Sequence, residues 1–142
     1  MVEDHPTADR GAILLVEDDP TFADYLTKRL RQAGYTTEWA PDGIRALAQL
    51  RRVRPDLLLM DLAIPAIDGL SLLRRVRDEN LIRDVPVIVL TGRCSAADVE
   101  RATALGVADY IAKPFEEDAF LASIKTHISG AARSSPVVFL DP

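Results

Sequence analysis

Short apolar runs alternate with longer amphipathic stretches along most of the chain. Three runs are largely apolar and bounded by polar residues or proline, as in strands buried on both faces: Ala12–Val16, Asp56–Met60 and Val85–Leu90. Two weaker runs, Tyr35–Trp39 and Ala108–Ala112, mix polar and apolar residues and are typical of strands toward a sheet edge. Apolar residues at helical spacing predict five helices: Thr21–Ala33, Gly43–Val53, Leu70–Asn80, Ala96–Leu105 and Glu116–Ile128.

This alternation of strand and helix predicts an α/β fold. Right-handed crossovers make a doubly wound, five-stranded parallel sheet with helices on both faces the most economical topology, in the flavodoxin-like order 2-1-3-4-5. We expect a disordered N-terminal tail over residues 1–11, one domain over 12–129, and a C-terminal tail or the start of a linker over 130–142.

The second tail contains an apolar segment, Val137 to Leu140 ("VVFL"). Three interpretations stay open for this segment. It folds back on the domain, it binds a partner, or it is the first strand of an output domain that is missing here.

Composition narrows the class of protein. The 142 residues are 48% hydrophobic, which suits one domain with a sizeable core. A net charge of −5 gives no support to direct binding of nucleic acid or anionic membrane by this segment. Cys94 is the single cysteine, so an internal disulfide is impossible, and we interpret it as an inert small hydrophobe. No apolar run approaches the ~18 residues of a membrane span, so a cytoplasmic location is expected.

Polar side chains gather where the predicted strands end. Glu17 and Asp18 follow the first strand, Asp61 the third, Thr91 the fourth and Lys113 the fifth. In a parallel sheet these ends share one edge, and the order 2-1-3-4-5 makes the first and third strands neighbours. Carboxylates so close together repel, so that either one is protonated or a cation holds them. Oxygen ligands alone favour Mg²⁺ or a similar hard ion.

Such a site suits phosphoryl transfer, in which catalysis is chiefly positioning and electrostatics. Asp61 is the candidate nucleophile and would become an aspartyl phosphate. Thr91 offers a hydroxyl to one phosphoryl oxygen, and Lys113 offers an ammonium group to another.

With these residues in place, the sequence resembles the receiver domain of two-component response regulators over about residues 12–129. Four motifs carry the resemblance: "ILLVEDDP", "PDLLLMDLAIPAIDG", "PVIVLTGR" and "GVADYIAKPF". It implies that Asp61 is phosphorylated by a histidine kinase or a histidine phosphotransfer protein. The protein would then catalyse only its own phosphorylation and dephosphorylation, and would not act as an enzyme on other substrates.

The resemblance also assigns further residues. It implies a Mg²⁺ site made by Glu17, Asp18, Asp61 and the main-chain carbonyl of Ala63. Thr91 and Tyr110 match the family's switch pair, which alters the face formed by the fourth helix, fifth strand and fifth helix. The Lys113–Pro114 bond is expected to be cis. That face would contact a downstream protein partner or act on an output domain outside this segment.

Several positions depart from the family pattern. Glu17 stands where many relatives have Asp, while Ala66 and Gly92 replace a common Gly and a common Ala. Ala63 and Arg93 resemble positions that tune how quickly the phosphoryl group is lost. Salt bridges that hold a symmetric dimer in winged-helix relatives are not expected, because their usual Asp, Glu and Arg are replaced by Ala108, Ala119 and Ser123.

Two other classes of function remain as alternatives. The first is a pseudo-receiver, a constitutive protein–protein interaction module with the same fold. The second is an enzyme, either a flavodoxin-like flavin protein or an aspartate-nucleophile phosphatase. Acids follow the first strand where a flavin protein needs a phosphate-binding loop, and Ala63 stands where the phosphatase needs Asp.

Overall fold

The computed structural model describes residues 10–128, in which five strands alternate with five helices. The strands are β1 (Ala12–Val16), β2 (Thr36–Ala40), β3 (Leu57–Met60), β4 (Val87–Thr91) and β5 (Asp109–Ala112). The helices are α1 (Pro20–Gln32), α2 (Gly43–Arg52), α3 (Gly69–Asp78), α4 (Ala96–Ala104) and α5 (Glu117–Ile128). No helix within residues 10–128 is long and apolar enough to cross a membrane.

All strands lie parallel in one sheet of order β2-β1-β3-β4-β5, which confirms the predicted fold class and strand order. β1 lies between β2 and β3, with Val16 opposite Ala40 on one side and Met60 on the other. The carboxyl ends of β1 and β3 therefore meet, as the site prediction requires. Long connections between parallel neighbours are supplied by the helices.

The core has two layers because successive residues of a strand point to opposite faces of the sheet. Leu14, Leu58 and Val87 pack with α2, α3 and α4 on one face. Ile13 and Leu57 pack with α1 and α5 on the other. The four residues of β3 are fully buried, and burial of each large apolar side chain contributes about 1.5–3 kcal/mol. β3 is thus a rigid support for the residue that follows it.

Element boundaries differ from the predicted ones by one or two residues at several ends. α1 begins at Pro20 because the Asp19 side chain accepts hydrogen bonds from the main-chain N–H groups of Thr21 and Phe22. β4 begins after Pro86 and extends through Thr91, which therefore belongs to the strand rather than to the loop beyond it. Proline has no N–H to donate to the sheet, which accounts for the late start.

The N-terminal boundary of the domain lies earlier than predicted. Arg10 donates from its main-chain N–H to the Gly34 carbonyl (3.1 Å), and Gly11 is buried, accepting from the N–H of Thr36 at 2.9 Å. These two residues belong to the domain rather than to a tail. The rest of the predicted tails, residues 1–9 and 129–142, lies outside the described residues.

Gly69, the first residue of α3, packs directly on the main chain that follows β3. A Cβ atom at this position would lie 2.4 Å from Leu62 Cα and 2.9 Å from the Asp61 carbonyl oxygen. Gly92, beside Thr91, has no heavy atom within 4 Å of a Cβ built there. The two glycines therefore differ in the space around them.

We expect Gly69→Ala to lower the free energy of unfolding by about 1–3 kcal/mol, because main-chain atoms are in the way and must shift. Gly92→Ala is the matched control and should stay within about 0.5 kcal/mol of wild type. Urea denaturation of both variants measures this. Equal stability of the two variants would contradict the close packing of α3 on the loop after β3.

Candidate functional site

Asp61 is a buried carboxylate at the end of a fully buried strand, and each of its oxygens has a partner. Its main-chain N–H donates to the Val16 carbonyl at 3.0 Å, which extends the sheet by one residue. Oδ1 accepts from Thr91 Oγ1 at 2.5 Å and from the Ala63 N–H at 3.0 Å. Oδ2 accepts from Lys113 Nζ at 2.9 Å. The charge is buried but compensated, as a buried ion must be.

Lys113 joins two carboxylates that come from different strands. Its Nζ lies 2.9 Å from Glu17 Oε1 and 2.9 Å from Asp61 Oδ2, and 4.3 Å from the centre of the Phe22 ring. Burial alone would lower the pKa of Lys113, but hydrogen bonds to the two carboxylates outweigh burial and raise it. The ammonium group therefore remains charged at neutral pH.

The main chain places this ammonium group. The N–H of Lys113 donates to the Thr91 carbonyl at 2.9 Å, which continues the pairing of β4 with β5. The following Lys113–Pro114 bond is cis, as expected from the family resemblance.

Glu17 is buried as deeply as Asp61. Its Oε2 accepts from the Asp19 N–H at 3.1 Å, and its main-chain carbonyl accepts from Trp39 Nε1 at 2.6 Å. Burial raises the pKa of Glu17, and this effect exceeds the opposing effect of the hydrogen bond from Lys113. Two buried carboxylates thus share a single ammonium group.

The third predicted carboxylate does not join this pair. Asp18 is exposed, as is Ala63. Across residues 10–128, no group of three or more His, Cys, Asp and Glu side chains is placed to hold a metal ion. The structure therefore brings Glu17, Asp61, Thr91 and Lys113 together, with Lys113 bridging the two acids.

Thr91 and Tyr110 are linked through the main chain of Arg93. Thr91 Oγ1 accepts from the Arg93 N–H at 3.1 Å, and the Tyr110 hydroxyl donates to the Arg93 carbonyl. Thr91 is fully buried and Tyr110 half-buried. Any movement of this backbone affects both side chains, so the arrangement suits the predicted switch, whose operation stays a prediction.

Comparison with known proteins identifies the family. The family model "Response regulator receiver domain" matches residues 13–125. The chain belongs to the response-regulator receiver-domain family. Among solved structures, this receiver domain is similar to the receiver domain of a histidine kinase from Syntrophus aciditrophicus. The two are 37% identical with a TM-score of 0.79, over 87% of this chain and 93% of that one.

Two further relatives bear on function. The receiver domain of sensor histidine kinase PA1611 from Pseudomonas aeruginosa PAO1 has a magnesium ion coordinated in its active-site cleft. It is 36% identical, with a TM-score of 0.76 over 84% of this chain and 98% of that one.

The DNA-binding response regulator MtrA of Mycolicibacterium smegmatis is 36% identical over 84% of this chain and 51% of its own length. This receiver domain thus spans about half the length of the curated relatives it matches. Family membership favours the receiver interpretation over the flavin-protein and phosphatase alternatives.

Arg93 forms a feature of the receiver domain's site that the sequence did not predict. Its guanidinium group lies 2.6 Å from Asp68 Oδ1 and pairs through two nitrogens with Asp98, each at 3.1 Å. These bonds raise the pKa of Arg93, and the pKa of Asp98 is lowered by Arg93. They join α4 to Asp68, the residue that caps α3. Asp68 is distant from Arg93 in the sequence, and the apolar periodicity carries no signal for contacts between charged side chains.

Cys94 does not pack as the small hydrophobe that was predicted. It is exposed, with its Sγ 3.5 Å from the Thr91 carbonyl oxygen. The loop that leads into α4 carries Cys94 outward, and the side chain adds nothing to the core.

The raised pKa of Glu17 predicts a pH-dependent contribution to stability. This contribution is complete below the unfolded-state value, near 4.3, and is lost as pH rises through the higher folded-state value. The Glu17→Gln variant has no carboxyl group to ionise at this position, so it does not lose stability in this way. The stability of the variant relative to wild type should therefore increase as pH rises from about 4 to about 8.

Urea unfolding at a series of pH values, with a chelator present, measures the difference. Glu100→Gln, on the exposed face of α4, controls for the loss of one negative charge. A relative stability that falls with pH would show instead that pairing with Lys113 outweighs burial.

Proposed function

We propose that this receiver domain accepts a phosphoryl group on Asp61 from a histidine kinase or a histidine phosphotransfer protein. One observation carries the proposal: the buried Asp61 carboxylate already has the Thr91 hydroxyl and the Lys113 ammonium group at hydrogen-bonding distance. One Asp61 oxygen would form the new O–P bond while the bond from phosphorus to the donor breaks. Thr91 and Lys113 would then hold the phosphoryl oxygens, whose charge develops during transfer.

We further propose that Mg²⁺ takes part, held by Glu17, Asp18, Asp61 and the main-chain carbonyl of Ala63. The four donors are all oxygens, which Mg²⁺ prefers, and they belong to the adjoining ends of β1 and β3; Asp18 would have to approach Glu17 and Asp61 to complete the set. Lys113 bridges two of these acids, so metal binding would compete with one of its ion pairs. When bound, the ion would supply positive charge against the phosphoryl oxygens. Magnesium in the cleft of the Pseudomonas relative supports the assignment.

The energy available for switching is limited by contacts already present. A phosphoryl group adds about −1.5 to −2 charge, and each charge-assisted hydrogen bond it receives is worth about 1.5–3 kcal/mol. Thr91 and Lys113 already bond to unphosphorylated Asp61, so only part of that energy separates the two states. The energy that phosphorylation adds to the preference for the active arrangement should therefore stay below the ~5.5 kcal/mol of a complete switch. We expect the active arrangement to be partly populated without phosphate.

The signal would pass through the Arg93 main chain to Tyr110 and the face formed by α4, β5 and α5. Relatives such as MtrA are DNA-binding response regulators about twice as long as this chain. We propose that the face acts on a downstream protein or on an output domain outside this segment, and that the protein works in the cytoplasm. The absence of the salt-bridged dimer stays a prediction.

Incubation with acetyl phosphate and Mg²⁺, followed by intact-mass and peptide mass spectrometry, tests the proposal. We expect one phosphoryl group per chain, located on Asp61 and dependent on the divalent ion. Asp61→Asn should remain unmodified. Asp84→Asn makes the same chemical change at an exposed position and should be modified like wild type.

Two outcomes would contradict the proposal. Modification of Asp61→Asn to the wild-type extent would place the phosphoryl group elsewhere. Wild-type protein that gains no phosphoryl group under any divalent ion would instead support the constitutive interaction module.

A further inference from the structure

A large groove lies at the opposite end of the sheet from Asp61. It is lined by the first residues of β1 and β2 and by the ends of α1 and α2, with a volume of about 710 Å³. We call it the β2 groove and define it by Ala12, Tyr35, Thr37, Gln49 and Val53. Its size falls within the range of ~300–1,000 Å³ that is typical of binding sites.

The β2 groove contains polar groups that the rest of the described chain does not satisfy. Thr37 is 7% exposed, and neither its Oγ1 nor the buried Oε1 of Gln49 has a hydrogen-bond partner within residues 10–128. Such groups are costly unless a partner is supplied. Both oxygens are buried in the wall of the groove, and the main-chain N–H groups of a peptide would match them once either side chain turns outward.

The groove also has an exposed apolar residue in its wall, beside an edge strand. Val53 is 66% exposed, although its side chain would gain from burial. β2 is an edge strand that pairs within residues 10–128 with β1 alone. An extended peptide is the usual partner for such an edge.

The chain leaves the described region beside this groove. Ile128, the last residue of α5, packs against Gly11, where a Cβ would lie 2.8 Å from Ile128 Cδ1. Gly11 directly precedes Ala12 of the groove. The nine residues from Ile128 to Val137 reach at most about 30 Å when extended, which is ample for a site this close.

We propose that the segment Val137–Leu140 of the same chain occupies the β2 groove. Four consecutive apolar residues, three of them β-branched or aromatic, match a strand edge with an apolar wall. Arg31, Arg52 and Glu38 line the groove, which leaves one net positive charge to complement Asp141, the residue directly after the segment. The small and polar residues between Ile128 and Val137 serve as the connector.

Covalent attachment favours this occupant over a separate molecule. A short connector gives an effective concentration on the order of millimolar, so even weak contacts keep the segment bound. The segment would cover the edge of β2 and leave the Asp61 end of the sheet untouched. The proposal is therefore independent of phosphorylation.

The test uses the full 142-residue chain with a spin label at Pro142→Cys in a Cys94→Ser background. In ¹⁵N-labelled protein, the spin label broadens the amide signals of residues that lie near it. We expect broadening at Thr36, Thr37 and Val53, and none at Arg93. Phe139→Asp, which changes only the segment, should abolish the broadening.

Matched variants on the groove side identify the docking wall. Val53→Glu introduces a charge on the wall, whereas Ile44→Glu does so at a 59% exposed position of α2 that does not line the groove. We expect broadening to be lost in Val53→Glu and retained in Ile44→Glu. The spread of amide signals shows that each variant is folded.

Three results would overturn the proposal. Broadening could be absent from the groove in the otherwise unchanged chain, or both wall variants could behave alike. Equal broadening could also appear when spin-labelled protein without ¹⁵N is mixed with ¹⁵N protein that carries no spin label, which would identify a second copy as the occupant.

Discussion

An ammonium group shared by two buried carboxylates is the constraint on which this site depends. Lys113 at the end of β5 lies 2.9 Å from Glu17 at the end of β1 and from Asp61 at the end of β3. Three strands that are separated widely in sequence are thereby held at one edge of the sheet. An unpaired carboxylate in this position would be strongly destabilising, so the two acids and the lysine can only be understood together.

The balance of charge in this group explains why it suits a reaction. Burial raises the pKa of Glu17 although Lys113 pairs with it, and the single ammonium group is shared with Asp61. A site of this kind favours additional positive charge, and it offers fixed donors to an incoming anionic group. The rigid apolar strands beneath hold these donors in place, which is the structural basis of positioning.

Much of this arrangement follows from periodicity and from the geometry of parallel sheets. Uninterrupted apolar runs predicted β1, β3 and β4, and the shared edge of strand ends predicted that Glu17, Asp61, Thr91 and Lys113 meet. The exposure of Asp18 was not predictable, since the apolar pattern does not distinguish it from Glu17. The contacts of Arg93 with Asp68 and Asp98 depend on side-chain directions in three separate segments.

The pattern of apolar and polar residues also could not predict local backbone geometry. Ala66 has φ 74°, in the left-handed region, where a non-glycine residue costs roughly 1–2 kcal/mol. Relatives commonly have glycine at this position, and the left-handed backbone conformation explains that preference. The β2 groove escaped prediction for a different cause: it is formed by the ends of four elements, none of which is unusual by itself.

The most direct test of the central interaction is a double-mutant cycle between Glu17 and Lys113, measured by urea unfolding at neutral pH with a chelator present. Lys113→Met keeps most of the apolar stem and should lower the free energy of unfolding by on the order of 2 kcal/mol, since charge-assisted hydrogen bonds are lost. Adding Glu17→Gln should restore a substantial part of that loss, because the unpaired carboxylate is then gone. Strict additivity of the two single changes would show that the residues do not interact, and would contradict the shared ammonium group as the basis of the site.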